Sequence, residues 1–235
     1  AYVPEMLHFE GFLSSISLFE DPSISISVEK KTIKPVNWNA KWESEFQPIQ
    51  IGDNCVVRAD FHPDQGKKFE LIINPKMSFG TGHHQTTHMM LDFALSESFE
   101  GKSILDIGCG TGVLAILASM KGAVSVDAID LDPWCIENAT ENAKKNNCLN
   151  VNCILGSSLT IDIPTYGLIF ANINRNILLE QISSYSLALI EGGVLLLSGF
   201  YQSDIESLRQ CCEAKGLSYV EEKQKGDWCA LKFVK

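Results

Sequence analysis

No apolar run in this chain approaches the roughly eighteen residues that a membrane-spanning helix needs, so no membrane segment is expected. The opening residues, AYVPEMLHFEGFLSS, lack the basic start and continuous apolar stretch of a secretory signal; they also lack an initiator methionine, which points to processing or truncation. Eight cysteines are present (Cys55, Cys109, Cys135, Cys148, Cys153, Cys211, Cys212, Cys229), with no CxxC pair and no framework spacing. Reduced thiols in a cytoplasmic protein are the simplest account. Positive charge is scarce: 19 Lys and Arg against 29 Asp and Glu leave a net charge of −10. That balance argues against a nucleic-acid binder working by phosphate neutralisation, and it would steer a basic protein partner toward the surface. Repeats and low-complexity segments are absent as well. What remains is ordinary globular composition, 45% hydrophobic and 20% charged, over 235 residues. That length holds one α/β core with a small appendage and is too short for two average enzyme domains.

From Gly101 onward, short apolar runs alternate with longer amphipathic segments, the sequence form of a buried parallel sheet with crossover helices. SILDIG (103–108), AVSVDAID (123–130), VNCIL (151–155), YGLIFANI (166–173) and GVLLLSG (193–199) read as five strands. Helices are predicted over 112–121, from Pro133 through WCIENATENAKKNN, over 175–190 and over 203–215. The third of these is expected to end at Gly192-Gly193 in a left-handed cap. The last stretch, LSYVEEKQKGDWCALKFVK, breaks the rhythm and reads as a hairpin turning at Lys225-Gly226, which sets one strand antiparallel to the rest. The fold class is therefore α/β, a doubly wound, seven-stranded Rossmann-like sheet with an antiparallel last strand.

Before Gly101 the pattern differs. Residues 1–34 hold one short helical stretch and an alternating strand, SISISVEKKTI (23–33), too little to fold alone. NWNAKWESEFQPIQIG (37–52) reads as an amphipathic connector with Trp38, Trp42 and Phe46 at helical spacing, packing against a neighbour. CVVRADFHP and FELIINP read as strands of a small β-unit. They lead into MSFGTGHHQTTHMM (77–90), in which Thr86 or Thr87 would begin a helix running to about Ser96.

The strongest chemical signal lies in LDIGCGTGVLAI. Asp106 ends the first strand, and Gly108, Gly110 and Gly112 precede a helix. Glycines at this turn let the backbone approach a ligand, and the helix start adds free N–H donors. Asp130 ends the second strand, where a carboxylate can accept both hydroxyls of a ribose. The loop is spaced GxGxG, not the GxGxxG of dinucleotide sites, and an acid stands two residues ahead of its first glycine. An acid there would repel a pyrophosphate and suits a cationic sulfonium with its α-amino group. S-adenosylmethionine is the cofactor that fits, and the closing hairpin agrees with a methyltransferase sheet. Asn172, just past the fourth strand in IFANIN, carries an acceptor and donors that can bridge a methyl donor and an incoming amine. A bland alternative has Asn172 capping the next helix.

Taken in order, FGTGHHQTT, DIGCGTG, IDLDPWCIENATENAKKN and ANINRNILLE resemble the family of methyltransferases that modify protein eleven of the large ribosomal subunit, over about residues 37–235. The resemblance implies that S-adenosylmethionine is gripped at Thr87, Gly108, Asp130 and Asn172, with Gly110 in the same loop and Phe79 as an aromatic beside it. It implies methyl transfer to lysine ε-amino or N-terminal α-amino groups of a basic ribosomal protein, with Asn172 as the catalytic positioning residue and no metal. It also implies an N-terminal, α+β recognition domain, of which residues 1–34 look like the second half; 35–61 would be linker helix and connector, and 62–235 the methyltransferase domain. The family pattern GTGTHPTT departs here at His83 and Gln85, while His84, Thr86 and Thr87 match. A cytoplasmic monomer with no direct nucleic-acid or membrane contact is expected. Three other readings stay open: a methyltransferase for another protein, a small amine or a nucleic-acid base, a non-catalytic S-adenosylmethionine sensor, and a metalloprotein using His83, His84 and His88.

Overall fold

The computed structural model describes residues 23–25, 27, 46–74, 76, 78–156 and 165–235. The recognition elements expected within 1–34, and the Trp38 and Trp42 stripe, lie almost wholly outside the described residues. The chain forms two compact units, Ala1–Trp42 and Glu43–Lys235, and the sheets and helices of the described residues all lie in the second.

Among the described residues, this unit holds two sheets. The smaller has the order β1-β2-β3, with β1 (Ile49–Ile51), β2 (Cys55–Arg58) and β3 (Phe69–Ile72). β1 corrects the connector reading of 37–52, since its last residues are strand. Alternating Ile-Gln-Ile suits a half-buried strand, Gly52 (φ +56°) starts the turn, and Ile51 comes back opposite Cys55. Residues 46–61 lie within the same compact unit as the large sheet.

The larger sheet contains β4 (Ser103–Ile107), β5 (Ser125–Asp130), β6 (Val151–Leu155), β7 (Tyr166–Asn172), β8 (Leu189–Tyr201), β9 (Ser218–Lys225) and β10 (Trp228–Val234). Its order is β6-β5-β4-β7-β8-β10-β9, with β10 antiparallel to both β8 and β9. The seven-stranded prediction thus holds, and the last strand sits inside the sheet, next to its edge. Helices α1 (Gln85–Ser96), α2 (Val113–Met120) and α3 (Pro133–Lys145) contribute to one apolar core together with Ile104, Leu168 and Phe170. Helices α4 (Arg175–Ala188) and α5 (Ile205–Glu213) contribute to a second with Leu105, Ile107, Ile169 and Ala171. Alternate residues of β4 and β7 face the two cores, which is how a two-residue period becomes a sheet covered on both sides.

One predicted terminus is corrected. Helix α4 stops at Ala188, where Leu189 turns extended (φ −76°, ψ 138°) and begins β8. Gly192 does take a left-handed φ of +73°, yet it does so inside that strand, where its N–H donates to the Lys235 carbonyl at 3.0 Å. Glycine there serves an irregularity of the strand, not a helix end.

Candidate functional site

The carboxyl ends of β4, β5 and β7 meet at one edge, at the point where the strand order reverses. Gly108 and Gly110 (φ +68° and +54°) leave β4 in left-handed backbone. Neither tolerates a side chain: a Cβ on Gly108 would stand 2.2 Å from Ile173 Cγ2, and one on Gly110 2.2 Å from the Phe79 carbonyl oxygen. The loop's amides of Gly108 and Cys109 donate to Ile129 O at 2.8 and 3.0 Å. Gly110 N–H donates to Asp130 Oδ2 at 2.9 Å, while Asp132 N–H reaches the other oxygen at 3.0 Å. Each carboxylate oxygen has two acceptor positions, so Asp130 is oriented and still has capacity for two hydroxyls.

Asp106 lies elsewhere than its sequence position suggested. It is 1% exposed, beneath the loop, and its Oδ2 accepts the Ala115 N–H at 3.2 Å in the first turn of α2. Burial pushes its carboxyl up to about 7, the nearby Asp130 charge adds to this, and the Ala115 hydrogen bond opposes it. A group so placed braces the loop from below; the sulfonium-facing role expected of it is corrected.

Residues 78–84 lie against the glycine loop. Phe79 O accepts the Thr111 N–H at 2.9 Å, and Thr111 Oγ1 donates to Gly80 O at 2.6 Å. A ladder of asparagines on α3 and at its C-cap holds the approach to this segment. Asn138 Nδ2 donates to Asn74 O at 3.1 Å; Asn142 accepts from Asn74 N–H at 3.1 Å and donates to Thr111 O at 3.0 Å. Asn146 accepts from Ile72 N–H at 2.8 Å and donates to Ile72 O at 2.7 Å, pairing with β3 as a neighbouring strand would. Sequence reasoning missed these three residues, although their spacing of four along one helix face signalled a shared role.

Helix α1 begins at Gln85, not at a threonine. His84 is its N-cap: Nδ1 accepts the Thr86 N–H at 3.3 Å and lies 2.8 Å from Thr86 Oγ1. Thr87 is thereby carried inside the first turn, 1% exposed, where its Oγ1 meets Asn172 Nδ2 at 3.5 Å. Asn172 Oδ1 is buried and has no partner. The helix-capping alternative for Asn172 falls, because Asn174 caps α4 by accepting the Asn176 N–H at 2.9 Å. An unsatisfied buried acceptor is costly, and at the edge of a cleft it calls for a ligand donor.

The histidines are engaged separately. His83 Nδ1 lies 3.0 Å from Thr81 Oγ1 and its ring 4.6 Å from that of Phe46, whereas His88 sits one turn into α1. Among the described residues, no three His, Cys, Asp or Glu side chains converge as a metal site. An open cavity of about 550 Å³ adjoins this corner, lined by Phe79, His83, His84, Gln85 and Lys225 among others.

Comparison with known proteins shows which family the chain belongs to. The family model described as ribosomal protein L11 methyltransferase matches residues 1–235. The ribosomal protein L11 methyltransferase of Porphyromonas gingivalis is 46% identical, covering 100% of this chain and 82% of its own length. That of Phocaeicola vulgatus is 42% identical, covering 100% and 85%. Among solved structures, a ribosomal protein L11 methylase from Lactobacillus delbrueckii subsp. bulgaricus superposes with a TM-score of 0.74 at 26% identity, covering 81% of this chain and 99% of that one. Fold and site together define an S-adenosylmethionine-dependent protein methyltransferase of the Rossmann-like class. More narrowly, the chain belongs to the ribosomal protein L11 methyltransferase family.

Proposed function

We propose that this protein transfers methyl groups from S-adenosylmethionine to lysine ε-amino and N-terminal α-amino groups of ribosomal protein L11, acting as a cytoplasmic monomer. The observation that carries the reading is the meeting of Thr87 and Asn172 at 3.5 Å, with Asn172 Oδ1 buried and unpartnered beside the glycine loop. The residues fit the cofactor. Gly108 and Gly110 leave room for its amino-acid end, Asp130 has acceptor capacity for the ribose, and Thr87 and Asn172 close the methionine side; Phe79 O is already bonded to Thr111, which sets that ring at the rim. Residues 1–34 belong, in this reading, to a substrate-recognition module, and the catalytic unit takes in the chain from Glu43 onward. Direct nucleic-acid or membrane contact has no part in it; among the described residues no helix is long and apolar enough to cross a membrane.

When bound, S-adenosylmethionine supplies an activated methyl on a sulfonium, so no acid is needed for the leaving group. The protein's share is alignment and exclusion of water. The nucleophile must be a neutral amine; for a lysine of pKa about 10.4, deprotonation at pH 7 costs about 4.6 kcal/mol. Asn172 Oδ1 accepts an N–H of that neutral amine and turns its lone pair toward the methyl, while the proton passes to solvent. A carboxamide has no basicity to offer, so its role is positioning. Incubation with methyl-labelled S-adenosylmethionine and purified L11, read by mass spectrometry, is expected to place label on L11 amines. Cofactor binding without transfer to L11 would remove the substrate assignment and leave the cofactor site standing.

A further inference from the structure

The carboxyl edge of the sheet continues beyond Asn172, on the side away from the glycine loop. Asn172 lies opposite Ser198 of β8, and that strand runs on to Tyr201. Trp228, the first residue of β10, pairs with Tyr201. Their rings stand 4.3 Å apart between centroids. Trp228 in turn meets His84 edge-on at 4.9 Å, and His84 meets Phe79 at 5.0 Å. Four rings thus form a string from Tyr201, 49% exposed, to Phe79, 53% exposed, and the string passes His84, three residues before Thr87.

Folding accounts for part of this string only. Trp228 packs partly against the core, and His84 caps a helix. Tyr201 heads the short 3-10 turn Gln202–Asp204, where its backbone N–H is held by Asp204 Oδ2 at 3.0 Å; that fixes its backbone, while its ring is left half in water against Trp228. Resting on the methyl-transfer reading above, we propose that Tyr201 and Trp228, with His84 behind them, form the acceptor wall of the cleft, where the alkyl stem and amine head of the incoming lysine lie. The topology gives the wall its place: cofactor residues stand on β4 and β5, Asn172 on β7 between, and the rings on β8 and β10. The chemistry gives it its ligand. A lysine stem offers methylenes to ring faces, and its ammonium or methylammonium head is drawn to an aromatic quadrupole.

The test uses the whole protein and purified L11. In Tyr201→Ala and Trp228→Phe, KM for L11 is expected to rise about three- to tenfold, with the calorimetric Kd for S-adenosylmethionine held within about twofold. Tyr201→Phe, which keeps the ring and drops the hydroxyl, is expected to restore the wild-type KM. An unchanged KM in Tyr201→Ala would overturn the proposal, as would a cofactor Kd that rises in step with KM. A wild-type protein that binds the cofactor and leaves L11 unmethylated would instead overturn the underlying reading, and this wall with it.

Discussion

Around Gly108 and Asp130 the site is made of backbone held by backbone and by one carboxylate, within the stretch of chain from β4 to α3 and against the backbone of Phe79 and Gly80. Around Asn172 it is made of side chains brought from separate stretches: Thr87 and His84 from the start of α1, Asn172 from β7, Tyr201 from β8 and Trp228 from β10. The first half has rigid geometry and little choice of residue. The second half is held by packing and capping, and its exposed rings leave it open. A cofactor common to many reactions suits the former; a particular acceptor suits the latter.

The sharpest way to break the rigid half is Gly110→Ala. The added Cβ meets a backbone oxygen at 2.2 Å, at φ +54°, so nothing soft can give way. A cost on the order of 3 kcal/mol is expected, from strain and overpacking together. Calorimetry should show cofactor affinity falling by more than about 100-fold; a fall under about threefold would mean that the loop is far more pliant than its hydrogen bonds indicate.

Asn142→Leu tests what joins the halves. It leaves Asn74 N–H and Thr111 O without their partner in a fully buried position. Two such losses cost about 2–4 kcal/mol, so the melting temperature is expected to drop by about 5–15 °C. A drop under about 2 °C would show that water or a shifted loop replaces the ladder.

A pH-dependent test concerns Asp106, pushed up to about 7 chiefly by burial. Because that value is raised, the folded protein keeps a proton that the unfolded chain gives up near pH 4, so stability falls between about pH 4 and pH 7 and then levels. Asp106→Asn removes this dependence while keeping an acceptor for Ala115 N–H. In thermal scans the variant's advantage should grow from near zero at about pH 4 to its full value near pH 7, at about 2–4 °C for each kcal/mol. An advantage constant across that range would contradict the buried, largely protonated acid.

What was legible in the sequence divides the same way. Strand, glycine loop, helix and acid are contiguous, so their spacing alone gave Gly108, Gly110 and Asp130 their places. Asn172 was singled out by its place past the fourth strand and Thr87 came through resemblance, and nothing in their spacing, 85 positions apart, could have told that they touch. Asp106 was misplaced because strand alternation, which sent it under the loop with Ile104, was outweighed by its nearness to the glycines. His84 lines the cavity and its side chain also caps the helix, a role usually taken by Ser, Thr, Asp or Asn, so its type did not announce the cap. Gly192 was read as a helix end because a left-handed glycine serves equally in a strand irregularity. The aromatic string was invisible, since Phe79, His84, Tyr201 and Trp228 share no local pattern.

The central claim is that the halves meet at Asn172, which aligns the acceptor and is not itself a base. Single-turnover methylation of L11 by Asn172→Ala, at saturating S-adenosylmethionine, tests it most directly. The rate is expected to fall at least about 100-fold, as misplacement of reacting groups by about an ångström does. Full turnover at wild-type cofactor affinity would contradict it.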